Sequence, residues 1–284
     1  KMKSEKLLIK ICSYAILGAV CVAVMFPLVY IFAASFKTNT EILTNPGSII
    51  PESPSAENYR LVWTSENFKI GTMLWNSIYY TLCNVAIAVI IASMSGYVFA
   101  RGSFPGKKLI FACFTALMFV KTGGLEIYPK FQILNLIHLN KGLIALIFLN
   151  MFSIPVVNMY LVKGFVESLP FELDEAAQLD GCSFMQTFFR IIMPLLKPIL
   201  ATIAMLPFQG SWNDYLMPTI FTITRPEQQT LIVGLMALKS TTGAATNWNL
   251  MLAGSVIALL PVLVAYSIGN RYFVSGLASG AVKG

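Results

Sequence analysis

Residues 167–198, ESLPFELDEAAQLDGCSFMQTFFRIIMPLLKP, are acidic and polar in a chain that otherwise reads as membrane, and they hold five of its thirteen acidic residues. Ser168 is placed to cap a helix whose first turn takes Pro170 and Glu172, and Gly181 supplies a left-handed stop roughly eleven residues later. A second helix starts at Ser183, where Ser183 and Gln186 form a capping-box pattern, and the apolar run beyond it leads back toward lipid. The expected unit is helix, glycine turn, helix. A period of 3.6 puts Asp174, Glu175 and Gln178 on one face of the first helix and Leu173, Ala176 and Ala177 on the other, where the alanines allow close approach by a partner surface.

The surroundings of this hairpin decide its context. Hydrophobic residues make up 56% of the 284 and charged residues only 12%, about half the charge of a soluble domain of this size. Mean hydropathy is +0.71. The apolar runs are long and lack two-residue alternation, which implies an all-α polytopic membrane protein rather than a barrel. A net charge of +7 could attract nucleic acid, but the basic residues lie mainly beside apolar spans, as membrane topology requires, so no nucleic-acid partner is expected. Cys12, Cys21, Cys83 and Cys113 fall inside expected spans and Cys182 in the acidic loop, so neither a disulfide nor a metal site is expected.

Six spans are expected, at about 11–34, 73–100, 109–128, 142–162, 191–221 and 250–268, in a single transmembrane domain covering 1–284. The basic start, KMKSEKLLIK, precedes an apolar run too long for a signal-peptide core. Residues 36–72, 129–141 and 222–249 are expected as external loops, the first with a short interfacial helix, and 163–190 as a cytoplasmic loop. Within the second span Ala92, Gly96 and Ala100 form a small-xxx-small face. The fifth is rich in proline, which frees carbonyls that neighbours or a water-lined cavity must satisfy. The tail from Gly269 reads as too glycine-rich for a long helix. Both termini are expected in the cytoplasm, because twelve basic residues then lie on cytoplasmic segments against eight outside.

Several chemistries are disfavoured. The turn RGSFPGKK at 101–108 looks like a phosphate loop, but its glycines are one residue too close and no Ser or Thr follows the lysine. The one histidine, His138, has no ligand-spaced partners and reads as a surface residue. No ionisable residue falls at mid-depth in the spans apart from Asp214, near the outer end of the fifth, so a proton-driven transporter is disfavoured and the energy should come from a partner. A membrane enzyme would need a convergent polar constellation that the chain lacks.

The pattern Glu175-Ala176-Ala177, three residues, Gly181, nine residues, Ile191-x-Met193-Pro194 resembles the "EAA" cytoplasmic signature of binding-protein-dependent ABC importer permeases, with Met193 where leucine is usual. WNDYLMPTIFTITRPEQQTLIVGL from Trp212 and the terminal GLASGAVKG are similar to the permeases of carbohydrate importers of the maltose and multiple-sugar type. The resemblance implies a type I importer permease architecture in the plasma membrane, not an enzyme, working with a second permease subunit, two copies of a cytoplasmic ABC ATPase and an external solute-binding protein. ATP and Mg would be bound by the ATPase, with no cofactor on this chain. Glu172, Asp174, Glu175, Ala176, Ala177, Asp180 and Gly181 would form the coupling helix that engages the ATPase. The cargo implied is a sugar or oligosaccharide, with a polyol phosphate or peptide as the alternative. Candidates for the solute pathway are Asn84, Asn150, Asn158, Gln209, Trp212, Asn213 and Asp214, the amide residues having interhelical hydrogen bonding as their alternative role and the Trp212-Asn213-Asp214 cluster a capped interfacial helix end.

Overall fold

The computed structural model describes residues 2–65, 68–120, 124–139, 141–239 and 247–281, and among them there is no strand. In chain order the helices are α1 (Met2–Ala34), α2 (Asn39–Thr44), α3 (Glu57–Thr64), α4 (Ile70–Arg101), α5 (Lys107–Leu117), α6 (Ile127–Leu136), α7 (Leu143–Met151), α8 (Val156–Ser168), α9 (Glu172–Leu179), α10 (Phe184–Thr187), α11 (Met193–Leu195), α12 (Lys197–Trp212), α13 (Leu216–Thr222), α14 (Leu231–Lys239) and α15 (Trp248–Ala281). A π-helical turn, Phe188–Ile192, joins α10 to α11. The chain forms two compact units, one of Lys1–Gly71 with Gly234–Leu260, the other of Thr72–Val233 with Pro261–Gly284.

The first unit begins with α1, which is apolar all round and packs on nothing over Ile9–Val29, as suits a surface solvated by hydrocarbon. The segment after it is polar yet buried. Lys37 is enclosed, paired with Glu41 at 3.5 Å and donating to the Ser48 carbonyl at 2.6 Å, while Glu41 accepts from the Glu52 amide at 3.0 Å. A charge taken out of water persists only with such partners. Asn58 donates to the Ser35 and Lys37 carbonyls and accepts from Asn249 at 2.8 Å, and the Asn39 side chain accepts from the Trp248 amide at 3.0 Å. The loop is thereby clamped to the start of α15, and α3 supplies the short helix expected there.

In the second unit α4 crosses α8 at Gly96. A Cβ there would sit 2.6 Å from Val162 Cγ1 and 3.0 Å from the Met159 carbonyl oxygen, so only glycine permits the approach. Tyr97, Val162, Val166, Phe188, Ile192, Leu196 and Ile203 form the core around this crossing. Proline shapes the remaining helices. α7 and α8 meet at 41° across Ser153–Pro155, and Phe184–Leu195 meets α12 at 86°, where Pro198 occupies the first turn of α12 and cannot extend the preceding ladder.

Among the described residues three helices are long and apolar enough to cross a membrane, Ile9–Ala34, Ile70–Arg101 and Trp248–Gly269, and up to five if each bent pair is one span. The structure departs from the expected boundaries at several places. Residues 109–128 do not form one helix: α5 stops at Leu117 and α6 starts at Ile127, with Gly124 at φ +98 between them. Residues 191–221 are divided by the bend before α12 and again after Trp212. The apolar α14 lies inside the expected loop 222–249, of which 240–246 fall outside the described residues. The glycine-rich tail is helical to Ala281, because a helix already nucleated by an apolar run extends at about 1 kcal/mol per glycine rather than at the cost of a new nucleus. Residues 282–284 of the terminal GLASGAVKG lie outside the described residues.

Candidate functional site

The acidic hairpin folds as helix, glycine turn, helix, with one change at its start. Ser168 does not cap α9. It ends α8, its hydroxyl donating to the Phe165 carbonyl at 2.6 Å, because Pro170 forces Leu169 into extended backbone (φ −78°, ψ 144°) and divides the two helices there. α9 is therefore eight residues, Glu172–Leu179, with no side-chain cap but three acidic residues in its first turn to oppose the helix dipole. Its far end closes as expected. Gly181 takes φ +80°, the Cys182 amide donates to the Ala177 carbonyl at 2.9 Å, and the Gly181 amide to that of Gln178 at 3.0 Å, a Schellman closure. Ser183 and Gln186 then form the reciprocal capping box of α10.

Burial sorts the residues of α9 differently from charge. Glu172, Glu175, Ala176, Leu179, Asp180 and Gly181 are exposed, Leu179 to 90%, whereas Asp174 and Ala177 are buried. Asp174 therefore does not share an outward face with Glu175. Its Oδ2 is ion-paired with Arg101 Nε at 2.9 Å and its Oδ1 accepts a hydrogen bond from the Tyr97 hydroxyl at 3.1 Å, both partners coming from the last two turns of α4. Arg101 also donates to the Leu169 carbonyl at 2.7 Å and stacks over the Phe171 ring, 5.2 Å from its centroid. Removing one partner of so buried a pair leaves a bare charge, which typically costs ~3–5 kcal/mol. Sequence reading missed Arg101 and Tyr97, since nothing local to either segment marks a pairing so distant along the chain.

The second candidate region is polar space within the same unit. A cavity of about 370 Å³ is lined by Tyr80, Glu126, Lys130, Asn150, Ser211 and Asp214 among others, and one of about 190 Å³ by Asn84, Asn150, Ser153, Pro207 and Ser211. Asn150, Gly210 and Ser211 line both. Tyr80 donates its hydroxyl to Asp214 Oδ2 at 3.1 Å, and Asn150 donates its amide to Asn84 Oδ1 at 2.9 Å. Asp214 lies just past the end of α12. Burial pushes its carboxyl above the ordinary carboxylate range, against the Met217 amide, the Tyr80 hydroxyl and the Lys130 charge, which pull it down. Such a lining offers donors and acceptors on amide, hydroxyl and carboxylate groups, the functions that match a polyhydroxylated solute.

Of the seven pathway candidates, the structure brings together Asn84, Asn150 and Asp214. Asn158 is elsewhere, buried, with its amide on the Ile203 carbonyl at 2.8 Å. Trp212 is buried and stacks on Phe208 at 5.9 Å, Asn213 is exposed and donates to the Gln209 carbonyl at 3.0 Å, and Gln209 is exposed outside both linings. These three finish α12 rather than line the cavities. Tyr80 and Lys130 were missed, because neither stands in a polar cluster along the chain. Among the described residues no group of three His, Cys, Asp or Glu could hold a metal ion.

Residues 3–278 match the family described as binding-protein-dependent transport system inner membrane component, and the chain belongs to that family. It is a multi-pass component of the plasma membrane and not an enzyme, ATP hydrolysis residing in a partner subunit. The galactooligosaccharides transport system permease protein GanQ of Bacillus subtilis is 31% identical over 286 residues, covering 100% of this chain and 99% of the relative. The arabinooligosaccharides transport system permease protein AraQ of Halalkalibacterium halodurans is 30% identical over 262 residues, 92% of this chain and 91% of the relative. The fold matches a chain in the crystal structure of a bacterial ABC transporter involved in the import of the acidic polysaccharide alginate, with a TM-score of 0.80, 21% identity, and 95% and 98% of the two chains covered.

Proposed function

We propose that this chain is one of two permease subunits of an ATP-driven importer for a sugar or oligosaccharide that an external solute-binding protein delivers. Two ATPase subunits sit on the cytoplasmic side with both termini of this chain, and ATP and Mg belong to them. The exposed edge of α9, with Glu172, Glu175, Ala176 and Leu179, seats in the ATPase, and Gly181 sets the angle at which the hairpin leaves the membrane. The cavities lined by Asn84, Asn150, Tyr80 and Asp214 take part in the solute route.

The observation that carries this reading is end-to-end similarity to permeases named for galactooligosaccharide and arabinooligosaccharide transport. The decisive experiment co-purifies the complex, identifies its subunits by mass, and measures uptake of labelled oligosaccharides into proteoliposomes with the cognate receptor. Saturable, ATP-dependent uptake lost on Glu175→Lys supports it. ATP-driven uptake of only a peptide or a polyol phosphate would overturn the sugar assignment, and cysteine labelling of α9 from the cell exterior would overturn the orientation.

A further inference from the structure

Asp174 is the one acidic residue of α9 that faces inward, and α4 holds both its carboxylate oxygens. We propose that Arg101 is a positioning residue that makes α9 and the adjoining end of α4 one rigid body, so that a displacement applied to α9 is delivered along α4. This rests on the reading that α9 engages the ATPase, and it names how the push leaves α9.

The grip has several points. Arg101 holds Asp174 by Nε at 2.9 Å and the Leu169 carbonyl by Nη2 at 2.7 Å, and lies over Phe171. It thus fastens the entry to α9. Tyr97, one turn earlier, donates to Asp174 and packs its ring against Phe184 at 4.5 Å and Phe188 at 5.3 Å, fastening the exit. The ion pair is shielded, with side-chain exposures of 10% and 4%, so α9 cannot swing from α4 without uncovering a charge. The guanidinium pairs its charge with the carboxylate beside Nε while Nη2 donates to the Leu169 carbonyl, two places that a compact lysine ammonium on a flexible stem does not span.

α4 then carries the movement to everything the unit does elsewhere. Gly96 seats it on α8. Tyr80 reaches Asp214 in the larger cavity. At the far end Asn76 donates to the Glu227 and Gln229 carbonyls at 2.8 and 3.0 Å, and Ser77 accepts from the Leu231 amide at 2.8 Å, tying α4 to the segment after α13. A continuous helix fastened at both ends transmits a shift without a relay of side-chain switches, and sliding of packed helices is an established form of conformational change.

The test uses the complete importer in proteoliposomes: this chain, its partner permease, the ATPase pair and the receptor. In R101K the ATPase subunits remain attached and ATP hydrolysis continues, but sugar moved per ATP hydrolysed falls about tenfold, within the range by which intervening residues modulate coupling. The swap R101D/D174R recovers part of that ratio, which a packing defect would not. Spin labels at Gln178 on α9 and Ile90 on α4 keep their separation through the nucleotide cycle in the parent and lose it in R101K. If R101K does not fold, Y97F, which removes one hydrogen bond, is read by the same ratio. An unchanged ratio in the folded variants, or a label distance that changes as much in the parent, overturns the proposal. Release of the ATPase by D174N also overturns it, since Asp174 would then act in docking. Should E175K and G181V both keep the ATPase and full uptake, it is the docking role of α9 that fails.

Discussion

Asn158 donates its side-chain amide to the carbonyl of Ile203 at 2.8 Å, and Ile203 stands four residues before Pro207 in α12. Proline has no amide hydrogen, so Pro207 leaves that carbonyl without its helical partner, and the neighbouring helix supplies one.

The relationship predicts a compensating pair. Asn158→Leu leaves the Ile203 carbonyl bare, and the loss should be about 0.6–1.7 kcal/mol, as found for hydrogen bonds between membrane helices. Pro207→Ala restores the helical donor, so Asn158→Leu should cost markedly less in its presence. Thermal unfolding of the four combinations in detergent measures the coupling, and additive losses would separate Asn158 from Pro207.

At the hairpin, Gly181→Val places a β-branched side chain at φ +80°, where L-residues lose roughly 1–2 kcal/mol. Nothing stands within 4 Å of the Cβ it would add, so the penalty is one of backbone and not of space. The Cys182 to Ala177 closure should open and α9 fray at its end. Weaker co-purification of the ATPase, with membrane insertion and monodispersity intact, is the expected result.

Gly96→Ala tests the crossing of α4 and α8. The added methyl meets Val162 Cγ1 at 2.6 Å, and overpacking of this kind typically costs ~1–3 kcal/mol. Val162→Ala in the same chain should relieve only the part that comes from Cγ1, because the Val162 Cβ, 2.7 Å from the added methyl, is retained together with the Met159 carbonyl at 3.0 Å, which is backbone and cannot rotate away. Failure of Val162→Ala to raise the melting temperature of Gly96→Ala would place the strain elsewhere.

These sites show what was legible along the chain. Gly181, the capping box at Ser183 and the close face at Gly96 are local signals, fixed by which residue tolerates which backbone or approach, and each appears where the residues require it. Prolines in the fifth span announced bends, but neither the 86° angle nor the match of Pro207 to Asn158 could be read, because both depend on packing between segments. The inward turn of Asp174 was hidden for the same reason: its face follows from Arg101, not from its neighbours in α9. Asn158, Gln209, Trp212 and Asn213 looked like solute ligands because polar residues in apolar runs are conspicuous, yet a helix end or a bare carbonyl makes the same demand as a sugar hydroxyl.

Asp214 gives a dependence on pH with a definite sign. Burial raises its proton affinity in the folded chain above that in the unfolded chain, so ionising it costs folding stability. The cost is absent at pH values low enough to protonate the carboxyl in both states. It grows as the pH climbs from the ordinary carboxylate range to the raised value, and is complete above that. Asp214→Asn removes the charge; its one oxygen can accept from the Met217 amide in place of Oδ1, while its amide group, in place of Oδ2, donates to the Tyr80 hydroxyl oxygen. The variant should therefore melt above the parent at neutral pH, with the gap closing on acidification. Scanning fluorimetry of both proteins across the carboxylate range checks this. A variant that melts below the parent by the same margin at every pH would mean that the two hydrogen bonds to the carboxylate outweigh its burial.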